Sequence, residues 1–285
     1  MKKLLICGVK GMAGSCIYQY LKSLNKYDIY ATRTENSDES QHIYACNVKT
    51  QLYFLKSLIK RIRPDIIINC IGILVKDSEN NPENAIYLNS YFPHWLENIT
   101  KDTNIKVIHL STDCVFKGDK ENGGYSEKDE PNGVGFYSRS KALGEIVNKK
   151  DLTIRMSIIG SELKETGSGL FSWFMRQTGI VSGYTMAFWN GLSTLELAKA
   201  IDKLIDADIV GLYQLAPDYK ISKYALLELI KVIWNRQDIT LVPNDSLKQD
   251  KTLINSEQEI PNYSMPLSYF DMLKEYKEWL QTFQK

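Results

Sequence analysis

The apolar run Leu4-Leu5-Ile6-Cys7 passes straight into Gly8-Val9-Lys10-Gly11-Met12-Ala13-Gly14, and a stretch of helical spacing, Met12 to Leu24, follows at once. Few folds accommodate that order. A buried strand that ends in a glycine turn and restarts as a helix leaves unpaired N–H groups and the positive end of a helix dipole at the turn. Both favour a phosphate, and glycine lets backbone approach it closely. The spacing is G-x-x-G-x-x-G, a variant of the usual dinucleotide fingerprint. The plain alternative is a glycine-rich turn with no ligand.

The pattern then repeats in kind. Ile29 to Thr32 and Ile43 to Val48 read as strands, Leu52 to Ile62 as a helix stopped by Pro64-Asp65, and Ile66 to Ile71 and Lys106 to Leu110 as strands. Strands without polar alternation are buried on both faces. Alternation with helices implies a parallel sheet with right-handed crossovers. The expected fold is α/β, a Rossmann-type doubly wound parallel sheet over residues 1–155, with a smaller substrate-binding lobe over 156–285. In the second half, Gly169 to Thr178, Thr194 to Asp206, Ser222 to Trp234 and Ser268 to Thr282 read as helices. Ser193-x-x-Glu196 forms a capping box before the second of these. The strand Gly211 to Leu215 is assigned to the first domain, and 161–168 and 243–261 read as polar loops.

Composition narrows the function. The 285 residues carry a net charge of +1, so neither a nucleic acid nor an anionic membrane is the expected partner. Cys7, Cys16, Cys46, Cys70 and Cys114 are odd in number and form no C-x-x-C pair. They read as small buried residues in a reducing compartment. His42, His94 and His109 lack ligand spacing, so no metal site is expected. Lys2-Lys3 and the run after them are too short for a signal peptide, and no run approaches a membrane span. The expected location is cytoplasmic.

Three further features carry chemistry. Arg33 lies 33 − 14 = 19 residues past Gly14, where a site for NAD usually places an acidic residue. A guanidinium there suits a 2′-phosphate, with Lys10 in reach of the same group; the alternative is a solvated arginine. Ser111-Thr112-Asp113 ends a strand where α/β sheets bind ligands, although such a triplet also serves as a cap or turn. Tyr137 and Lys141 stand one helical turn apart, so an ammonium can lower the phenol's pKa and make it a usable general acid. The same spacing occurs at Tyr18/Lys22 and Tyr219/Lys223. Only Tyr137 follows the Thr112 strand.

These stretches resemble extended short-chain dehydrogenases/reductases, and more closely dTDP-4-dehydrorhamnose reductases and related nucleotide-sugar 4-ketoreductases. The resemblance runs through Gly8 to Gly14, Arg63 to Cys70, Leu88-Asn89, Ser111 to Gly118, Tyr125-x-Glu127-x-Asp129-x-Pro131 and Tyr137-x-x-x-Lys141-Ala-Leu-Gly144-Glu145. It implies that NADPH reduces C4 of a nucleotide-linked 4-keto-6-deoxyhexose. Tyr137 gives the proton, Thr112 bonds the same oxygen, and Lys141 holds the nicotinamide ribose. It further implies a cofactor set of Gly8, Lys10, Gly11, Met12, Ala13, Gly14, Arg33, Asn47, Val48, Cys70, Ile71, Gly72 and Asn89 together with Tyr137 and Lys141. The implied substrate set is Thr112, Cys114, Val115, Phe116, Ser157, Trp189, Asn190 and Lys251. Lys251 is read against the sugar diphosphate or, alternatively, as a solvated lysine. A homodimer through helices of the first domain is allowed.

Three departures fall on the sugar side. Cys114 stands where the rhamnose enzymes usually have tyrosine, Ser157-Ile158 lacks their tryptophan, and Gly72 to Asp77 replaces their Tyr-Thr-x-Val-Asp loop. They shift the expected substrate toward surface-polysaccharide sugars, including UDP-linked 2-acetamido-2,6-dideoxy-4-hexuloses. The competing readings are an epimerase or dehydratase with tightly held NAD, a non-catalytic NADP(H)-binding regulatory subunit, and a reductase of a different ketone.

Overall fold

A computed structural model describes residues 1–163, 167–256 and 258–283. Seven parallel strands form the central sheet: β1 (Lys2–Cys7), β2 (Tyr27–Arg33), β3 (Ile43–Ala45), β4 (Ile66–Asn69), β5 (Lys106–Leu110), β6 (Leu152–Arg155) and β7 (Gly211–Gln214). Their order is β7-β6-β5-β4-β1-β2-β3. The strand order therefore reverses between β1 and β4, and a crevice opens there at the carboxyl ends. Leu4, Leu5, Ile6 and Cys7 are fully buried, as are Ile67 and Ile68, which accounts for the missing polar alternation. Each such aliphatic side chain contributes about 1.5–3 kcal/mol when withdrawn from water.

Helix α1 (Met12–Ser23) covers one face of the sheet, and α2 (Leu52–Ile62) and the helix Phe92–Thr100 cover the other. The catalytic candidates lie on α3 (Gly135–Leu143), which ends five residues short of the expected Asn148. A β-carbon at Gly144 would sit 1.8 Å from the Asn89 carbonyl oxygen, so the chain must turn there with no side chain. β3 likewise ends at Ala45 and not Val48, because Asn47 starts a turn: its Oδ1 accepts from the Lys49 N–H and its carbonyl from Thr50. The helix expected from Gly169 to Thr178 spans only Leu170–Met175.

α4 (Thr194–Ala207), capped by Ser193, packs against α1 on the sheet. One apolar cluster runs from Leu4 and Ile6 through α4 to α5 (Lys223–Ile233) and α6 (Tyr269–Phe283), with no break near residue 155. The stretch expected as a polar loop over 243–261 contributes strand pairing instead. Ile239–Asn244 lies parallel to Gly179–Tyr184, and Gln249–Asp250 lies beside Ala187–Trp189. Residue 257 of that stretch and residues 164–166 of the other expected loop lie outside the described residues. The segment 75–100, left unassigned by periodicity, is almost wholly helical and includes a π-helical turn, Ile86–Tyr91, that carries Asn89.

Candidate active site

The glycine turn is built by close packing. Gly8 has φ +89°, and a β-carbon on Gly14 would lie 2.3 Å from the Gly8 carbonyl oxygen and 3.2 Å from the Cys70 β-carbon. α1 can thus approach β1 and β4 only with glycine at both places. Gly11 is the N-cap of α1, and no side chain caps that end. The Gly8 and Val9 N–H groups both donate to the Thr32 carbonyl, so Arg33, the next residue, stands beside the turn. Its Nε donates to the Asn36 carbonyl. Met12 and Ala13 open α1, and Lys10 is exposed in the turn.

Cys70, Ile71 and Gly72 follow β4 across the crevice, where the Ile71 N–H donates to Asn69 Oδ1 at 3.1 Å. A β-carbon on Gly72 would lie 3.1 Å from Asn89 Oδ1 and 4.0 Å from Lys141 Nζ. The glycine-lined crevice therefore meets the α3 residues at Gly72. Asn89 is fully buried. Its amide bonds both backbone groups of Ile73 and donates to Ser140 Oγ at 3.1 Å, which fixes the middle of α3. Val48 is buried and its carbonyl accepts from Tyr87 Oη, while Asn47 caps the turn after β3.

Lys141 is 5% exposed, and its Nζ donates to the Leu110 carbonyl at 2.6 Å. Burial lowers its pKa to about 8, opposed by the Glu145 carboxylate. Tyr137, one turn earlier, is half-buried. Its pKa moves opposite to the expectation from sequence. Burial pushes it well up, and the Cys114 thiol adds to this. The Thr112 hydroxyl, within hydrogen-bonding reach of the phenol, pulls it back. The Asp113 carboxylate adds to the rise. Thr112 is buried at the end of β5, where its Oγ1 accepts from the Cys114 N–H and donates to Asp113 Oδ1. The other two tyrosine–lysine pairs lie elsewhere. Tyr18 and Lys22 meet on the surface of α1, and Tyr219 Oη donates to the Pro266 carbonyl.

The substrate-side expectations divide. Lys251 comes to the site from far along the chain, with its Nζ 3.7 Å from Cys114 Sγ. The turn at Gly118 positions it, because its Cγ would lie 2.8 Å from a β-carbon there and the Asp250 N–H donates to the Gly118 carbonyl. Val115 and Phe116 carry fully buried side chains, and the Phe116 ring stacks on Tyr125 at 4.2 Å. Trp189 is 7% exposed and donates from Nε1 to Ser157 Oγ at 2.8 Å, so these two residues engage each other. Asn190 is a backbone clasp. Its Nδ2 donates to the Pro217 and Leu253 carbonyls, and its Oδ1 accepts from the Leu253 N–H. It holds the segment that delivers Lys251. Phe171 and Phe174 are core residues, whereas Trp173 and Tyr184 are partly exposed.

Glu79 was missed. Its carboxylate accepts from the Tyr137 N–H at 3.2 Å and fills the space that a side chain on Gly135 would need. Nothing in its local sequence marks it, since it reaches α3 only by tertiary packing. Among the described residues, no cluster of three or more His, Cys, Asp or Glu could hold a metal ion, and no helix is long and apolar enough to cross a membrane.

The switch-point crevice, the glycine turn and the Thr112, Tyr137 and Lys141 set define a short-chain dehydrogenase/reductase of the extended type. The chain belongs to the family described as the RmlD substrate binding domain, whose pattern matches residues 1–246. It is 26% identical over 223 residues to the probable low-salt glycan biosynthesis reductase Agl14 of Haloferax volcanii, covering 74% of this chain and 73% of that protein. It is 28% identical over 162 residues to a dTDP-4-dehydrorhamnose reductase of Aggregatibacter actinomycetemcomitans, covering 55% of this chain and 51% of the relative. The crystal structure of dTDP-4-dehydrorhamnose reductase from Bacillus anthracis in complex with NADP superposes with TM-score 0.81 at 20% identity, over 98% of this chain and all of that one.

Proposed function

We propose that this chain is an NADPH-dependent reductase of the C4 ketone of a nucleotide-linked 4-keto-6-deoxyhexose, serving surface-polysaccharide synthesis. The observation that carries the reading is geometric: Tyr137 and Lys141 share one turn of α3, Lys141 Nζ donates to the Leu110 carbonyl beside Thr112, and it meets the crevice at Gly72. NADP(H) fits the residues present. The Gly8–Gly14 turn is a cradle that side chains would fill, α1 begins without a side-chain cap, and Arg33 offers a 2′-phosphate its guanidinium.

When bound, NADPH supplies the hydride. Tyr137 Oη then hands its proton to the substrate oxygen as negative charge develops there. Thr112 Oγ1 would bond the same oxygen once its hydrogen turns from Asp113 Oδ1 toward it. Lys141 holds the cofactor ribose and stabilises the phenolate that Tyr137 becomes. Lys251 offers an ammonium beside Cys114 for the sugar diphosphate. Cysteine in place of a bulkier residue at 114 leaves room beside the sugar, which favours a 2-acetamido-2,6-dideoxy-4-hexulose on UDP over dTDP-4-dehydrorhamnose. Free, largely buried thiols fit a reducing, cytoplasmic setting. A second copy is the proposed partner, seated on the exposed apolar side chains Leu143, Val147 and Tyr91 at the end of α3. Leu143→Glu should then halve the mass measured by sedimentation.

The test is cofactor absorbance with 4-keto sugars made in situ by a 4,6-dehydratase, on UDP and on dTDP, with and without a 3,5-epimerase. NADPH oxidation with one of them, abolished in Tyr137→Phe, supports the reading and names the nucleotide. Bound NADPH with no turnover across the panel would leave a regulatory subunit or another ketone.

A further inference from the structure

Glu145 lies just past the end of α3, four residues beyond Lys141. Its buried carboxylate takes three hydrogen bonds, each 2.7 Å long: from Arg155 Nε and Ser111 Oγ to Oε1, and from Arg155 Nη2 to Oε2. Arg155 is the last residue of β6, and Ser111 directly precedes Thr112 at the end of β5. One carboxylate thus ties the helix that carries Tyr137 and Lys141 to the strand end that carries Thr112. The two charged side chains are 3% and 6% exposed, and Arg155 Nη1 has no hydrogen-bond partner among the described residues. Stability is a poor reason for such a pair, because removing both charges from water offsets most of their attraction.

We infer that Glu145 is a positioning residue of the reduction, which holds the strand end that carries Thr112 against the helix that carries Tyr137 and Lys141. The inference rests on the catalytic reading of Tyr137 and Lys141 given above. The groups facing Lys141 come from three elements. The Leu110 carbonyl is neutral. Cys70, past β4, is a thiol whose pKa burial pushes far up, and His109 on β5 is buried and held neutral, partly by Lys141 itself. Glu145 is the carboxylate that counters the burial of Lys141. A carboxylate near a lysine raises its pKa by a unit or more in such surroundings.

The experiment is the pH dependence of kcat/KM for NADPH, from neutral to alkaline pH, at saturating keto sugar. The wild type should lose activity as pH rises through about 8, where Lys141 gives up its proton. Glu145→Gln keeps the shape and removes the charge, and should move that limb down by about one pH unit. Glu145→Asp should return it. Because Glu145→Gln alone orphans a buried guanidinium, the double variant Glu145→Gln/Arg155→Gln removes both charges together and should move the limb in the same direction. A folded double variant whose limb stays in place would overturn the inference. Lys141→Met tests the underlying reading separately. It should lower kcat by about a hundredfold or more, and near-wild-type turnover would overturn that reading and this one together.

Discussion

The Lys141 ammonium donates to the Leu110 carbonyl at 2.6 Å, so α3 is tethered to the strand end that carries Thr112. Tyr137 stands one turn earlier on the same helix, and burial raises the pKa of its phenol.

Tyr137→Phe should lower turnover by about a hundredfold to ten-thousandfold, the usual contribution of a positioned general acid. Tyr137 is one of many residues in the expected cofactor set, so NADPH affinity should fall far less than turnover. Parallel measurement of NADPH fluorescence titrations and steady-state rates separates the two. Equal losses in both would mean that Tyr137 binds and does not donate.

Arg33 should set the choice of cofactor. Arg33→Ala removes a charged donor at the end of β2, and hydrogen bonds to charged groups contribute about 1.5–3 kcal/mol. NADPH should bind about tenfold to a hundredfold more weakly while NADH is unaffected. Matched losses for both cofactors in calorimetry would assign Arg33 a structural role only.

Gly14→Ala would place a methyl group 2.3 Å from the Gly8 carbonyl oxygen. Backbone cannot give way as a flexible side chain does, so the cost should be about 1–3 kcal/mol. The urea midpoint should fall, and NADPH binding should be lost as α1 is pushed off β1. Gly179→Ala has open space around it, although its φ of +70° makes some strain unavoidable. It should leave NADPH binding intact.

Alkaline pH should destabilise the fold through its thiols. Burial raises Cys7 from its ordinary 9.0 to about 12, and Cys16 and Cys46 to about 11. Stability from these groups is fully present below pH 9.0 and falls as pH rises toward their folded values. Each should remove about 1.4 kcal/mol per pH unit over that window. Lys141, lowered to about 8 from 10.5, acts in the opposite sense, since burying its charged form ceases to cost stability as pH rises through that interval. Three thiols outweigh one lysine, so denaturant midpoints measured under reducing conditions should decline above pH 9. A flat profile there would mean that the thiols reach water.

Much of the site could be read before any coordinates. Gly8 and Gly14 bracket the turn, and Tyr137 could be chosen over Tyr18 and Tyr219 because it alone follows the Thr112 strand. Lys251 was legible as a candidate cation, but its place beside Cys114 was not. The hydrogen bonds of Trp189 to Ser157 and of Asn190 to the Pro217 and Leu253 backbone were not legible, because an indole and an amide look alike in sequence whatever partner they meet. Glu79 gave no signal, since it acts on α3 across a gap of 58 residues.

The sequence by itself determined the strands, the glycine turn and the one-turn spacing of Tyr137 and Lys141. These are local: unbroken apolar runs demand burial on both faces, close backbone contact demands glycine, and helical periodicity sets which residues share a face. Only the tertiary structure decided the protonation of Tyr137, the lowered pKa of Lys141, and the meeting of Glu145 with Arg155 and Ser111. Those depend on how much water each group loses and which distant partner replaces it, and neither is written in the neighbouring residues.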